Sequence, residues 1–198
     1  MRRRSVLGGA LVLGLALAGG AAVAEAPVGD DGLHKPAWFR DTFKDLREDA
    51  AEAAAEGKRL LVIVEQRGCN YCKAMHEKTF PDPRVEALLT DDYFPIQVNL
   101  HGDTEVVDLD GEVLTEKSAT RKWGVLFTPT MMLFPSEVDD ARPATMQAAA
   151  IMPGFFSPGT TLDLLTWVKE DRYLDQSQED FQRYHARMIQ ERDDGDTN

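Results

Sequence analysis

Cys69 and Cys72 are the only cysteines in the chain, and they stand three apart in Cys69-Asn70-Tyr71-Cys72, directly after an apolar run. That spacing suits reversible redox chemistry at sulfur. A helix that starts inside the motif leaves unpaired N–H groups and the positive end of its dipole near Cys69, favouring thiolate over thiol. Cys69 is therefore the expected nucleophile. Cys72, one turn later, is placed to resolve a mixed disulfide by attacking Cys69. Arg67 and Lys73 either add positive field there or are solvated surface charges.

Other uses of the pair are weaker. A staple closing four residues stabilises by only roughly 2 kcal/mol in the chain-entropy model. A zinc shell needs four ligands, and although His76 lies four after Cys72, there is no second cysteine pair. Covalent haem attachment needs His directly after the second cysteine, where Lys73 stands. A carrier of copper or thiols, using Cys69, Cys72 and His76, remains the alternative from a different class. Met131 and Met132 read as core filler and His76 as a satisfied helix-face residue.

The elements that must position this motif follow from periodicity. Asp41 to Glu56 reads as a helix with Phe43, Leu46 and Ala50 on one face, stopped by Gly57. Leu60 to Val64 is apolar at every position, as expected of a central strand covered on both sides. A helix runs from the motif to about Thr79, is broken at Pro81 and Pro83, and resumes over Arg84 to Leu89. Strands are predicted at Phe94 to Leu100, Thr130 to Phe134 and Ala148 to Met152, and helices at Glu116 to Trp123, Leu162 to Asp171 and Gln178 to Arg192. Asp110-Gly111 between short apolar runs predicts a hairpin. Asp103, Glu105, Asp108, Asp110 and Glu112 make this insertion acidic but do not complete a calcium loop. It reads as a solvated hairpin suited to a basic partner. The order of elements predicts an α/β fold, with helices flanking a central mixed sheet.

The ends and the charge bound the setting. Arg2 to Arg4, the apolar stretch Val6 to Ala18 and Ala22-Val23-Ala24 have the three-part pattern of a secretory signal peptide, and Arg3-Arg4-Ser5-Val6-Leu7 resembles a twin-arginine signal. An uncleaved anchor is the rival reading. Removing residues 1–24 changes the net charge from -12 to -15, with 19 basic against 34 acidic residues. Such acidity disfavours nucleic acid and anionic membrane surfaces. The expected organisation is a signal peptide at 1–24, a flexible linker at 25–37, one domain at 38–175 with its insertion at about 101–115, and a C-terminal helix with a disordered tail at 176–198. Export places the cysteines outside the reducing cytosol, in the periplasm.

Phe127-Thr128-Pro129-Thr130 is the second notable element, since a proline before an apolar strand belongs at its start or in a specially shaped loop. With the cysteine pair upstream, it resembles the thioredoxin superfamily from about Phe43 to Asp171, with Gly154 matching the glycine after the last strand. The resemblance implies a thioredoxin-like fold in which Pro129 is cis and, with Thr128, faces the sulfurs, and in which the backbone of Thr128 pairs with a bound polypeptide. A narrower pattern combines Glu65-Gln66-Arg67-Gly68-Cys69-Asn70-Tyr71-Cys72, the acidic insertion, Arg121-Lys122-Trp123-Gly124-Val125 and the Pro129 loop. It is similar to the periplasmic SoxW-like thioredoxins of bacterial thiosulfate oxidation. That resemblance implies a reductase fed by a membrane thiol-reductant transporter, acting on protein disulfides such as those of Sox-type sulfur carriers, with no cofactor beyond the Cys69–Cys72 disulfide.

The chain departs from ordinary thioredoxin at three places. Ile63 occupies the strand position that usually carries a buried aspartate, Gly68 replaces an aromatic residue, and Asn70-Tyr71 replaces Gly-Pro. Glu65 is the nearest carboxylate in sequence and either shuttles the proton of Cys72 or faces water at the strand end. Tyr71 either packs over the sulfurs or is an exposed aromatic. A disulfide-forming oxidase would use the same residues, so direction stays open.

Overall fold

The computed structural model describes residues 26–177 and 179–195. The signal-peptide and anchor readings of residues 1–24 lie outside this range. Four strands form the central sheet: β1 (Arg59–Glu65), β2 (Tyr93–Asn99), β5 (Thr130–Leu133) and β6 (Ala150–Pro153). Their order is β2-β1-β5-β6. Strand β1 runs parallel to β2 and antiparallel to β5, and β5 is antiparallel to β6. The sheet is therefore mixed. Two further strands, β3 (Glu105–Val107) and β4 (Val113–Thr115), pair separately as the expected hairpin.

Alternation along β1 builds both cores, because successive side chains of a strand point to opposite faces. Leu60, Val62 and Val64 pack with α1 (Leu46–Ala55), the hairpin and α4 (Glu116–Lys122). Leu61 and Ile63 pack on the other side with Met75, with α3 (Pro83–Asp91) and with α5 (Pro158–Lys169). Each such aliphatic side chain contributes about 1.5–3 kcal/mol on full burial. Glu65 has the parity of Ile63. Its side chain thus enters the second layer, on the side of α2 (Asn70–Ala74).

Helix α1 starts later than periodicity predicts. Asp45 is its cap, accepting from the Arg47 N–H, and Lys44 takes a left-handed conformation with φ 60°. This turns Phe43 outward, 95% exposed instead of in the core. The buried face is Leu46, Asp49, Ala50 and Ala53. Gly57, at φ 71°, ends the helix as expected.

Residues 26–37, expected as a flexible linker, are packed on the domain. Val28 bridges to His34, Leu33 is only 3% exposed, and the Gln97 side-chain amide donates to the His34 carbonyl. One buried leucine and a set of backbone acceptors anchor a segment whose composition alone looks like a loop.

The hairpin turn spans Asp108 to Glu112, longer than the two-residue turn that Asp110-Gly111 suggests. The reason is Asp108, whose fully buried carboxylate accepts from the Leu109 and Ala144 N–H groups. Lys122 then gathers Asp108, Asp110 and Glu112 at 2.7, 2.7 and 2.8 Å. These three acids are tied to the protein's own lysine, while Asp103 and Glu105 of the same insertion are exposed. Desolvation works against the Lys122 ammonium, and the three carboxylate hydrogen bonds outweigh it, raising its pKa.

At the C-terminus, α6 (Phe181–Gly195) packs on α5 and extends beyond Asp193, where a disordered tail is expected. Asp163, buried on α5, holds Arg192 through two hydrogen bonds of 2.7 and 2.9 Å and His185 through a third.

Candidate functional site

Strand β1 ends at Glu65, and Gly68, at φ 72°, turns the chain so that Cys69 becomes the N-cap of α2. The Cys69 sulfur accepts from the Cys72 N–H at 3.0 Å. The cap position thus directs an unpaired helix-terminal donor at the sulfur, as the placement of the motif predicts. Cys69 and Cys72 are joined as a disulfide with Cα atoms 5.2 Å apart. Cys72 is 2% exposed, whereas Cys69 is only partly buried. Access separates the two sulfurs, Cys69 being the one open to the surface.

The Thr128–Pro129 peptide bond is cis. Its loop is fixed by the Gly154 N–H donating to the Pro129 carbonyl at 2.7 Å and by the Thr130 hydroxyl donating to the Phe127 carbonyl at 2.7 Å. Thr128 consequently faces Cys69. Its hydroxyl donates to the Cys69 sulfur at 3.3 Å, and its carbonyl oxygen lies 3.4 Å from the same atom. Two donors therefore converge on one sulfur, the hydroxyl from a loop some sixty residues away in sequence.

Around Cys69 the surface is a cleft of about 850 Å³ whose walls include Tyr71, Leu100, Leu126, Phe127 and Phe155. Tyr71, 66% exposed, belongs to this wall and is not packed down as a cover. Arg67 is occupied elsewhere: its guanidinium donates to the Asp30 and Asp31 carbonyls at 2.9 and 3.2 Å, clamping the N-terminal segment. Lys73 pairs with Glu77 at 3.3 Å.

Glu65 is 1% exposed, so the strand-end residue facing water is not what the protein contains. Its carboxylate shares a hydrogen bond of 2.9 Å with His76 Nε2 and accepts another from the Gln97 side-chain amide. The helix makes this possible by winding more widely over Met75–Thr79, a single π turn that follows α2. A cavity of about 250 Å³ is lined by Glu65, Cys69, Cys72 and His34. Sequence reasoning joined His76 to the cysteines only as a ligand in the carrier reading, not to Glu65, and did not join Gln97 or His34 to the site. The parity of Glu65 with Ile63 was the available signal for the first of these contacts. Among the described residues, no group of three or more His, Cys, Asp or Glu side chains is arranged to hold a metal ion.

The thioredoxin-like domain family matches residues 46–142, a span that contains both the cysteine motif and the cis-proline loop. A thioredoxin-fold protein from Helicobacter pylori superposes with a TM-score of 0.52 at 18% identity, over 70% of this chain and 86% of that one. The fold is that of thioredoxin. A thioredoxin from Thermus thermophilus is similar to the same degree, with a TM-score of 0.52 and 19% identity over 69% of this chain and 94% of that chain. No curated protein matches.

Proposed function

We propose that the protein is an exported thiol-disulfide oxidoreductase that reduces disulfides of partner proteins. The observation that carries this reading is the Cys69 sulfur, reached from an open apolar cleft and met by the Cys72 N–H and the Thr128 hydroxyl. Both donors stabilise a thiolate more than a thiol.

In the dithiol state, the Cys69 thiolate attacks one sulfur of a partner disulfide. The partner's S–S bond breaks, its leaving sulfur takes up a proton, and a Cys69–partner mixed disulfide forms. Cys72 loses its proton and attacks Cys69, and the second partner sulfur leaves as a thiol. The partner gains two electrons and two protons, and the enzyme ends as the disulfide. Thr128, in the wall of the cleft beside Cys69, suits an extended partner segment bound by strand-like backbone pairing, and Tyr71, Leu126 and Phe127 suit apolar residues beside its cysteine.

The arginine-led, apolar start of the chain supports a periplasmic setting, where regeneration of the dithiol requires an electron source such as a membrane thiol-reductant transporter. The motif set from Glu65 to Thr130 supports a SoxW-like role, with Sox-type sulfur carriers as partners. Reduction of insulin disulfides by the dithiol form, with a potential near the thioredoxin value of about -270 mV, is the expected result. A value near the DsbA figure of about -120 mV would make it an oxidase. Tight Cu(I) binding without any disulfide exchange would make it a carrier.

A further inference from the structure

The disulfide-exchange reading leaves one proton unassigned: the one that Cys72, only 2% exposed, must lose. No carboxylate stands at Ile63, where a buried acid would lie directly behind the motif. The chain instead buries Glu65 two residues further along the same face of β1, and Glu65 and Cys72 line one cavity of about 250 Å³. A volume of that size admits bridging water.

The groups around Glu65 come from four elements. His76, from the π turn after α2, contacts one carboxylate oxygen at 2.9 Å, and Gln97, from β2, donates to the other. Lys35 donates to the Gln97 side-chain oxygen from the N-terminal segment. His34, from that segment, packs against His76 with the rings tilted by 30° and their centroids 4.6 Å apart, and its Nδ1 is buried without a hydrogen-bond partner. Lys73 and both cysteines of the motif complete the cavity wall. Val28, Gly32, Leu33 and His34 form the side of the cavity that the N-terminal segment supplies, held by the Arg67 clamp; at Gly32 a Cβ would come within 2.6 Å of the Arg67 side chain.

We propose that Glu65 is the proton acceptor of Cys72 and that His76 is the positioning residue that holds its carboxylate, the pair being shielded by residues 28–34. During resolution the Cys72 S–H bond breaks and its proton passes to Glu65, directly or through water. The freed electron pair forms the Cys72–Cys69 bond as the bond from Cys69 to the partner breaks. The partner thiolate is protonated from solvent, and Glu65 is reset when the dithiol is regenerated. The assignment rests on the disulfide-exchange reading of the same site.

The reduced protein, mixed with a chromogenic aromatic disulfide in stopped flow, releases one aromatic thiol on attack by Cys69 and a second on attack by Cys72. The ratio of the second rate to the first isolates the proposed step. Glu65→Gln is expected to lower that ratio at neutral pH by about a hundredfold, the low end of general-base contributions, and to flatten the pH dependence of the second release. His76→Asn removes a partner of the carboxylate and is expected to move the midpoint of that pH profile upward, a shift that mere loosening of the fold would not produce. An unchanged ratio in Glu65→Gln together with an unmoved profile in His76→Asn overturns the proton-acceptor assignment alone. Failure to release even the first thiol overturns the exchange reading as well.

Discussion

Replacing Thr128 with valine keeps the shape of the side chain and deletes one of the two donors to the Cys69 sulfur, the hydroxyl at 3.3 Å. A hydrogen bond to a charged acceptor contributes about 1.5–3 kcal/mol. Sulfur accepts weakly and the contact is long, so the lower end, about 1.5 kcal/mol, applies. At 1.36 kcal/mol per pKa unit this raises the thiol pKa of Cys69 by about one unit. The consequence for rate is smaller. Tenfold less thiolate is partly offset by its greater nucleophilicity, since a Brønsted slope of about 0.4–0.5 returns roughly threefold, leaving a net loss of about threefold well below the pKa. The assay is a titration of ultraviolet thiolate absorbance in reduced protein carrying Cys72→Ala, with and without Thr128→Val, alongside the rate of alkylation by iodoacetamide. A pKa that stays within about 0.3 units, or falls, would show that the hydroxyl does not stabilise the thiolate and would refute the reasoning.

Asp49 gives a stability prediction. Burial is the main cause that pushes its carboxyl up to about 7 from the ordinary 3.8, with Asp45, Glu52 and Glu48 adding to it against the Thr42 hydrogen bond. Between these values the folded state holds a proton that the unfolded state has lost, so stability falls as pH rises through the window. Asp49→Asn should remove that part of the slope and be the more stable protein above it, by no more than about 4 kcal/mol before solvent screening is discounted; urea unfolding across the window checks this, and parallel curves would contradict it. Lys122→Met keeps the aliphatic stem but leaves the buried Asp108 carboxylate without its cation. A loss of about 3 kcal/mol in urea unfolding is expected, and a loss below about 1 kcal/mol would mean that Asp108 is satisfied by its backbone donors alone.

Much of the fold was legible because the apolar pattern carried it. The unbroken run Leu60 to Val64 could only be a central strand, and Gly57, Pro83 and Gly154 punctuated the elements around it. The cysteine pair and Pro129 were legible as a site because few other uses suit them. What sequence did not show depended on contacts between distant segments. Phe43 left the core because Lys44 adopts a left-handed turn, a choice that helical spacing does not encode. Residues 26–37 looked free because their anchors, Leu33 and the backbone acceptors for Arg67 and Gln97, have no periodicity. Glu65 was found by proximity to the motif, but its burial against His76 required a π turn that no composition signals. The ion pairs of Asp108, Asp110 and Glu112 were not legible because nothing local indicates that Lys122, ten or more residues on, would collect these carboxylates.

In the proposed exchange Cys69 attacks and Cys72 resolves. The most direct test of this order is to expose reduced Cys72→Ala and Cys69→Ala proteins, each with a single remaining thiol, to a folded protein disulfide and to identify the adducts by mass spectrometry. A persistent mixed disulfide on Cys69 in the first protein and little or none on Cys72 in the second is expected. Equal adducts on both, or adducts confined to Cys72, would contradict the account.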